Sequence, residues 1–405
     1  MMKSSGTQNM DTSKVVSMNE MFANTTFTQY IYVGNNTASS TAWDTKNVES
    51  MEQMFAWCGR IDGTSLIGNY NAPAEGQEAK PDGKLHFKFM NGCNVAEMFK
   101  GAHIPVDLSL TTGTTGSAYG LDVIDDYYGM FADYALYALP TLKGIGLSEE
   151  TPLIGTFGHP ENMVITFIGE GSKATTWTPP AGSSMNEMFR NCKVPLDLSV
   201  LNTKNVVSYQ YMFQDYGKRN EVDIAYKYGI DYAREQIKQK APEYLELFDK
   251  YVKLLDGVEI YGTPEEEQPE GTFNLCLWPL PNVEFKKLDT TETTDVTMKG
   301  MFMGFYGDQL DLQADCFDTT NVVDMSEMFC GCKMEKIDLT GFNTKNVRDM
   351  SYMFESETLR PFKSWQIKLG ENFTLDSVVD MSYMFGSLAD ENSELRQIVV
   401  PGKQN

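Results

Sequence analysis

Histidine is nearly missing from this 405-residue chain, which has only His86, His103 and His159. Three imidazoles leave little material for a Ser, His and Asp triad, and no local sequence suggests one. Basic residues are also short, with 33 Lys and Arg against 56 Asp and Glu, a formal net charge of -23. Nucleic acid is therefore not an expected partner, because phosphate binding needs clustered cations. The same shortage argues against an anionic membrane surface and favours solubility, a basic partner or cation association. No apolar run approaches the roughly 18 residues of a membrane span, so no membrane insertion is expected. Residues Met1 to Asn9 are polar, without a hydrophobic signal-type stretch or a lipid-acceptor Cys. That leaves either a trimmed piece or a protein assembled inside a cell.

Cysteine is sparse as well. The seven form an odd set without framework spacing, and Cys330 with Cys332 lacks the second pair that a zinc site needs. Gly169 to Lys173 lacks the spacing of a phosphate loop, and no EF-hand loop fits. Acidic pairs such as Asp125-Asp126 do not by themselves suggest a carboxylate-pair enzyme. No cofactor, metal or catalytic residue is expected, and the chain reads as a non-enzyme.

What the sequence does have is a repeat. Ten Met-Phe pairs run from Met21-Phe22 to Met384-Phe385, most within the phrase Asn-Val-x-x-Met-x-x-Met-Phe. Neighbouring copies ending at Phe189 and Phe213, Phe329 and Phe354, and Phe302 and Phe329 stand 24, 25 and 27 residues apart. A fixed period of this length implies units that bury their apolar faces only against their neighbours. Within Asp318 to Phe342, the positions Val322, Met325, Met328 and Phe329 form one stripe of a short helix. Asn321 is placed to cap it, and Asp324 falls at the third helical position, approximating a capping box. Cys58, Cys192 and Cys332 each follow a repeat Phe by three residues and read as small core residues. Seven or eight residues after that Phe comes an alternating triplet, as in Ile337-Asp338-Leu339, which reads as a short strand with Asp outward.

One short strand and one short helix per unit predicts an α/β repeat solenoid of leucine-rich-repeat type. The phrase Asp-Thr-x-Asn-Val-x-x-Met-x-x-Met-Phe-x-x-Cys, continuing to x-Asp-Leu-x-x-Phe, resembles the BspA-type leucine-rich repeats of bacterial surface proteins. The match is closest over Asp318 to Phe342 and Asn343 to Phe354. The resemblance implies adhesion, host attachment or other protein recognition, with an extracellular or cell-surface location and no catalytic residues. The polar N-terminus, without an export signal, is the departure from that pattern.

The predicted organisation is an N-terminal solenoid part over 1-213, a helical insertion and acidic loop over 214-272, and a C-terminal part of the same solenoid over 273-405. Glu221 to Lys240 and Glu243 to Asp256 read as two helices separated at Pro242. Leu245, Phe248, Val252 and Leu255 form an apolar seam on the second, which would pack on the solenoid or dock a partner. Gly59 to Lys84 and Leu110 to Leu121 read as edge loops. With strands in register, Asp311 and Asp338 would form an outward acidic column, with Asp107 and Asp197 in equivalent positions farther along. Such a strip would suit a basic ligand or a weakly held divalent cation. The expected function is a recognition or adhesion module for a protein or cell-surface ligand. The alternative is a structural component of a larger assembly, such as a virion, fibre or surface layer, with a homo-oligomer or companion chain.

Overall fold

A computed structural model of the chain describes residues 11–25, 29–35, 43–59, 65–71, 79–114, 116–135, 163–217, 238, 283–285, 287–305, 310, 312, 316–334, 336–356, 362, 364, 366–388 and 395–401. The Met-Phe segments do not form helices. In the copy around Phe329, Met328 N–H donates to the Met325 carbonyl, Cys330 N–H to Glu327 and Cys332 N–H to Phe329, at 3.0 to 3.2 Å. These bonds close three successive β-turns. The intervening amides of Met325, Glu327, Phe329 and Gly331 leave the segment altogether. They donate to Asp349, Ser351, Met353 and Glu355 of the next repeat at 2.8 to 2.9 Å. Backbone amides thus alternate between their own turn and the neighbouring repeat, which satisfies them without any i→i−4 ladder.

The turn geometry enforces this alternation. Glu327 and Gly331, each third in its turn, sit at φ 59° and 60°. A positive φ there with an ordinary residue before it is the type II arrangement. The residue two before the repeat Phe has φ between 53° and 59° throughout, as at Glu20, Gln53, Glu97, Glu187, Tyr211 and Tyr352. Left-handed residues recurring every few positions cannot belong to a right-handed helix.

The expected α/β solenoid is therefore corrected. The described chain is short strands and turns in several small, mostly parallel sheets, and its one complete helical element is the 3₁₀ turn Gly120–Val123. The helical reading failed because a chain of turns places Met325, Met328 and Phe329 on one buried side, as a helix would. The capping assignment falls with it. Asn321 Nδ2 donates to the Thr290 carbonyl of the preceding repeat at 2.9 Å, and Asp324 Oδ1 accepts the Ser326 N–H at 2.9 Å.

Repeats join along parallel lines. One runs Ser183–Ser184, Val206–Ser208, Val296–Thr297, Val322–Asp324, and continues through bridges Asp324 to Asp349 to Asp380. A second contains the expected triplets as strands: Val106–Asp107 with Ile165–Thr166, Leu196–Leu198 with Val283–Phe285, and Lys336–Leu339 with Gln366–Leu369 and Gln397–Val399. Two segments read as loops contain elements. Leu66–Asn71 is a strand paired with Tyr30–Asn35, and Leu110 to Leu121 holds the strand Thr112–Gly113 and the start of the 3₁₀ turn.

Between these lines lies the core. Each of the ten repeat phenylalanines stacks on the next, from Phe22 on Phe55 to Phe354 on Phe385. Ring centroids are 5.2 to 5.8 Å apart and planes within 15°. The N–H of each of the first nine donates to the carbonyl of the residue before the next repeat's Phe at 2.8 to 3.0 Å. Ring stack and hydrogen-bond ladder thus share one register, and each fully buried side chain contributes on the order of 1.5–3 kcal/mol. Cys58, Cys192 and Cys332 are buried in this core as expected. Burial pushes the Cys192 and Cys332 thiols up to about 12, so neither is a nucleophile at neutral pH.

The chain divides into two units. One contains Met1–Ala135, Pro160–Lys218 and Leu280–Asn405, the other Leu136–His159 and Arg219–Pro279. Apart from Lys238, the second unit lies outside the described residues, and with it the predicted helices and the Leu245, Phe248, Val252 and Leu255 seam.

Candidate recognition face

The left-handed turn residues set the direction of their side chains. Gln53, Glu97, Glu187, Tyr211, Glu327 and Tyr352 share this register, one per repeat. At these positions the side chains are half-buried, whereas the Met and Phe that follow are buried. Where a repeat has Gly instead, a neighbouring side chain occupies the space. A Cβ on Gly300 would stand 2.3 Å from the Tyr211 ring, and one on Gly101, two residues after its Phe, 2.2 Å from the Trp57 ring. Tyr352 and Tyr383 stack on each other at 5.3 Å.

Charges join the same face. Tyr211 hydroxyl donates to Glu327 Oε2 at 2.9 Å, and Lys299 Nζ pairs with Glu327 Oε1 at 3.1 Å. Burial, with Glu327 beside it, pushes the Tyr211 phenol up to about 12. For Lys299 burial pulls the other way, and Glu327 outweighs it, so the ammonium is held above its ordinary range. Farther along, Arg190 pairs with Glu187 at 3.0 Å and Asp133 at 3.7 Å. Tyr128, 39% exposed, donates to Glu187 at 3.3 Å. Gln53 donates to Glu97 at 2.6 Å. Tyr, Trp and Arg held by fixed neighbours are the residue types that dominate binding energy at interfaces.

Of the acidic positions predicted on the strands, Asp107, Asp197 and Asp338 lie on strands. Asp107 stands opposite Thr166, Asp197 opposite Glu284, and Asp338 opposite Lys368, so no two of these three aspartates are paired. Each carboxylate accepts the N–H of the residue two ahead, Ser109, Ser199 or Thr340, at 2.8 to 3.0 Å. Such Asx turns make Asp a device for leaving the strand. Burial would raise the Asp338 carboxyl, but the Thr340 bonds and Lys368 Nζ at 3.1 Å hold it below the usual carboxylate range. Asp311 lies outside the described residues. Among the described residues no group of three His, Cys, Asp or Glu side chains is arranged to hold a metal ion.

The aromatic face was not anticipated, although a signal existed. Gly129 and Gly300 occupy the register of Glu97 and Glu327, and Gly101, Gly304 and Gly331 the position two after the Phe. Glycine alternating with large side chains at fixed repeat positions marks left-handed backbone.

Neither a curated protein nor a solved structure matches the chain. A family model does match, over residues 2–74, 164–228 and 279–398, which cover most of the repeat ladder. The chain belongs to the family described as Mycoplasma protein of unknown function, DUF285.

Proposed function

We propose that this chain is a non-enzymatic recognition module of BspA-like type, holding a protein or cell-surface ligand on its turn face. The observation carrying this reading is the registered column of aromatic and charged side chains at left-handed positions, from Gln53 to Tyr383. A backbone ladder fixes their spacing, so little conformational entropy is lost when a ligand is bound across several repeats. The half-exposed tyrosines supply apolar area with a polar tip, and Arg190, Lys299 and the glutamates supply orientation. Display at a cell surface or on a virion follows from this role.

The test is adhesion. The purified chain, immobilised, is titrated with intact host-type cells and with a panel of purified extracellular-matrix proteins. A double variant Tyr211→Ala, Tyr352→Ala with unchanged thermal unfolding is run in parallel. Saturable binding that falls at least about tenfold in the variant, the scale of a single interface anchor, supports the reading. Absence of saturable binding, or equal binding by the variant, contradicts it.

A further inference from the structure

The ladder has polarity. At every junction the N–H of a repeat Phe donates to the carbonyl before the next repeat's Phe, never the reverse. The last repeat consequently presents donors without acceptors: Met381, Tyr383 and Phe385 N–H, in register with Met350, Tyr352 and Phe354, make no bond among the described residues. The first repeat presents the complement. Ser17, Asn19 and Met21 carbonyls correspond to the Ser50, Glu52 and Met54 carbonyls that accept from the preceding rung, and they accept nothing among the described residues.

The apolar surface has the same distribution. Among the described residues, every exposed large apolar side chain except Tyr128 and Val164 belongs to the first or last repeat unit. Val379 is 86% exposed, Tyr383 65% and Met381 47%, whereas Met350 and Phe354, one rung earlier, are fully buried. Phe385 ends the ring stack at 37% exposure. At the other terminus of the ladder Val16 is 50% and Met21 41% exposed.

We propose that the last repeat of one copy docks onto the first repeat of a second copy, continuing the ladder head to tail. A donor row cannot pair with another donor row, so a symmetric dimer through the last repeats would leave the Met381, Tyr383 and Phe385 amides without acceptors. A heterologous contact between two different faces propagates into an open fibre unless its rotation closes a ring. In the docked rung Phe385 N–H meets the Met21 carbonyl, and the Phe385 ring stacks on Phe22 of the second copy. The charge of -23 opposes association, but exposed charges beyond about 8 Å are screened at physiological salt. The contact uses the ends of the ladder and does not depend on the recognition reading of its turn face.

Sedimentation velocity over a concentration series of the full 405-residue chain tests this, with two variants. One carries Val379→Asp and Met381→Asp, the other Val16→Asp and Met21→Asp; all four positions are exposed, and unchanged thermal unfolding is the control. The wild-type chain is expected to grow beyond 45.5 kDa with concentration, while each variant alone remains at 45.5 kDa. An equimolar mixture of the two variants is expected to stop at twice that mass, since one good face remains on each. A wild-type monomer throughout overturns the proposal. So does a dimer lost in the Val379, Met381 variant but retained in the Val16, Met21 variant, because that pattern means last repeat against last repeat.

Discussion

A left-handed Glu, Gln or Tyr costs about 1–2 kcal/mol relative to right-handed backbone. Eight of the ten repeats carry this cost two residues before the Phe, where Gly129 and Gly300 avoid it, because two inter-repeat hydrogen bonds and a buried Phe depend on the turn. Glu20 isolates the effect, being exposed at φ 53°. Glu20→Gly is expected to leave urea stability unchanged or raise it by about 0.5–1 kcal/mol. A helical segment would instead lose about 1 kcal/mol, which the same titration would reveal. His103 gives a second residue-level prediction. Burial pulls its imidazole from 6.5 down to about 4, so below pH 6.5 the unfolded chain takes up a proton that the folded chain refuses. Stability from this group is present above pH 6.5 and is lost as pH falls toward 4, by about 3 kcal/mol in all. Unfolding measured at pH 7 and pH 4.5 should show that slope in the wild type and a flatter one in His103→Gln.

At the scale of the element, the polar half of the phrase works between repeats. Buried Thr319 donates to the Asn343 carbonyl at 3.1 Å and accepts the Asn343 N–H at 2.8 Å, and Thr344 does the same with Thr374 at 2.7 Å. Thr319→Val keeps the shape and strands the Asn343 amide, so a loss of about 1–3 kcal/mol is expected in denaturant titration. No loss would mean the staple is dispensable. The strand triplets were legible beforehand, because period-two alternation in Leu196-Asp197-Leu198 has one reading and the chain follows it. The Met-Phe segment was not. Burial at i, i+3 and i+4 is common to a helix and to a chain of three-residue turns, and only the glycines at the left-handed register separate the two. Asn321 misled for a related reason, since a side-chain amide before an apolar run serves a cap or a cross-repeat bond equally well. Which residue faces each aspartate was not legible: Thr166 and Lys368 are opposite Asp107 and Asp338, and no single unit's sequence reveals its partner.

For the whole molecule, stability should be a sum over neighbouring rungs. Phe302, stacked between Phe213 and Phe329, touches a ring on each side, whereas Phe385 touches one and is partly exposed. Phe302→Ala is expected to cost about 3–5 kcal/mol and Phe385→Ala distinctly less. Equal losses would deny that position in the ladder matters. The most direct test of the ladder itself is residue-resolved amide hydrogen exchange on dilute chain. Phe329 and Phe354 amides, bonded to Met353 and Met384, should exchange slowly, and the equivalent Phe385 amide fast. Protection of Phe385 equal to that of Phe354, at a concentration where the chain is monomeric, would contradict the account.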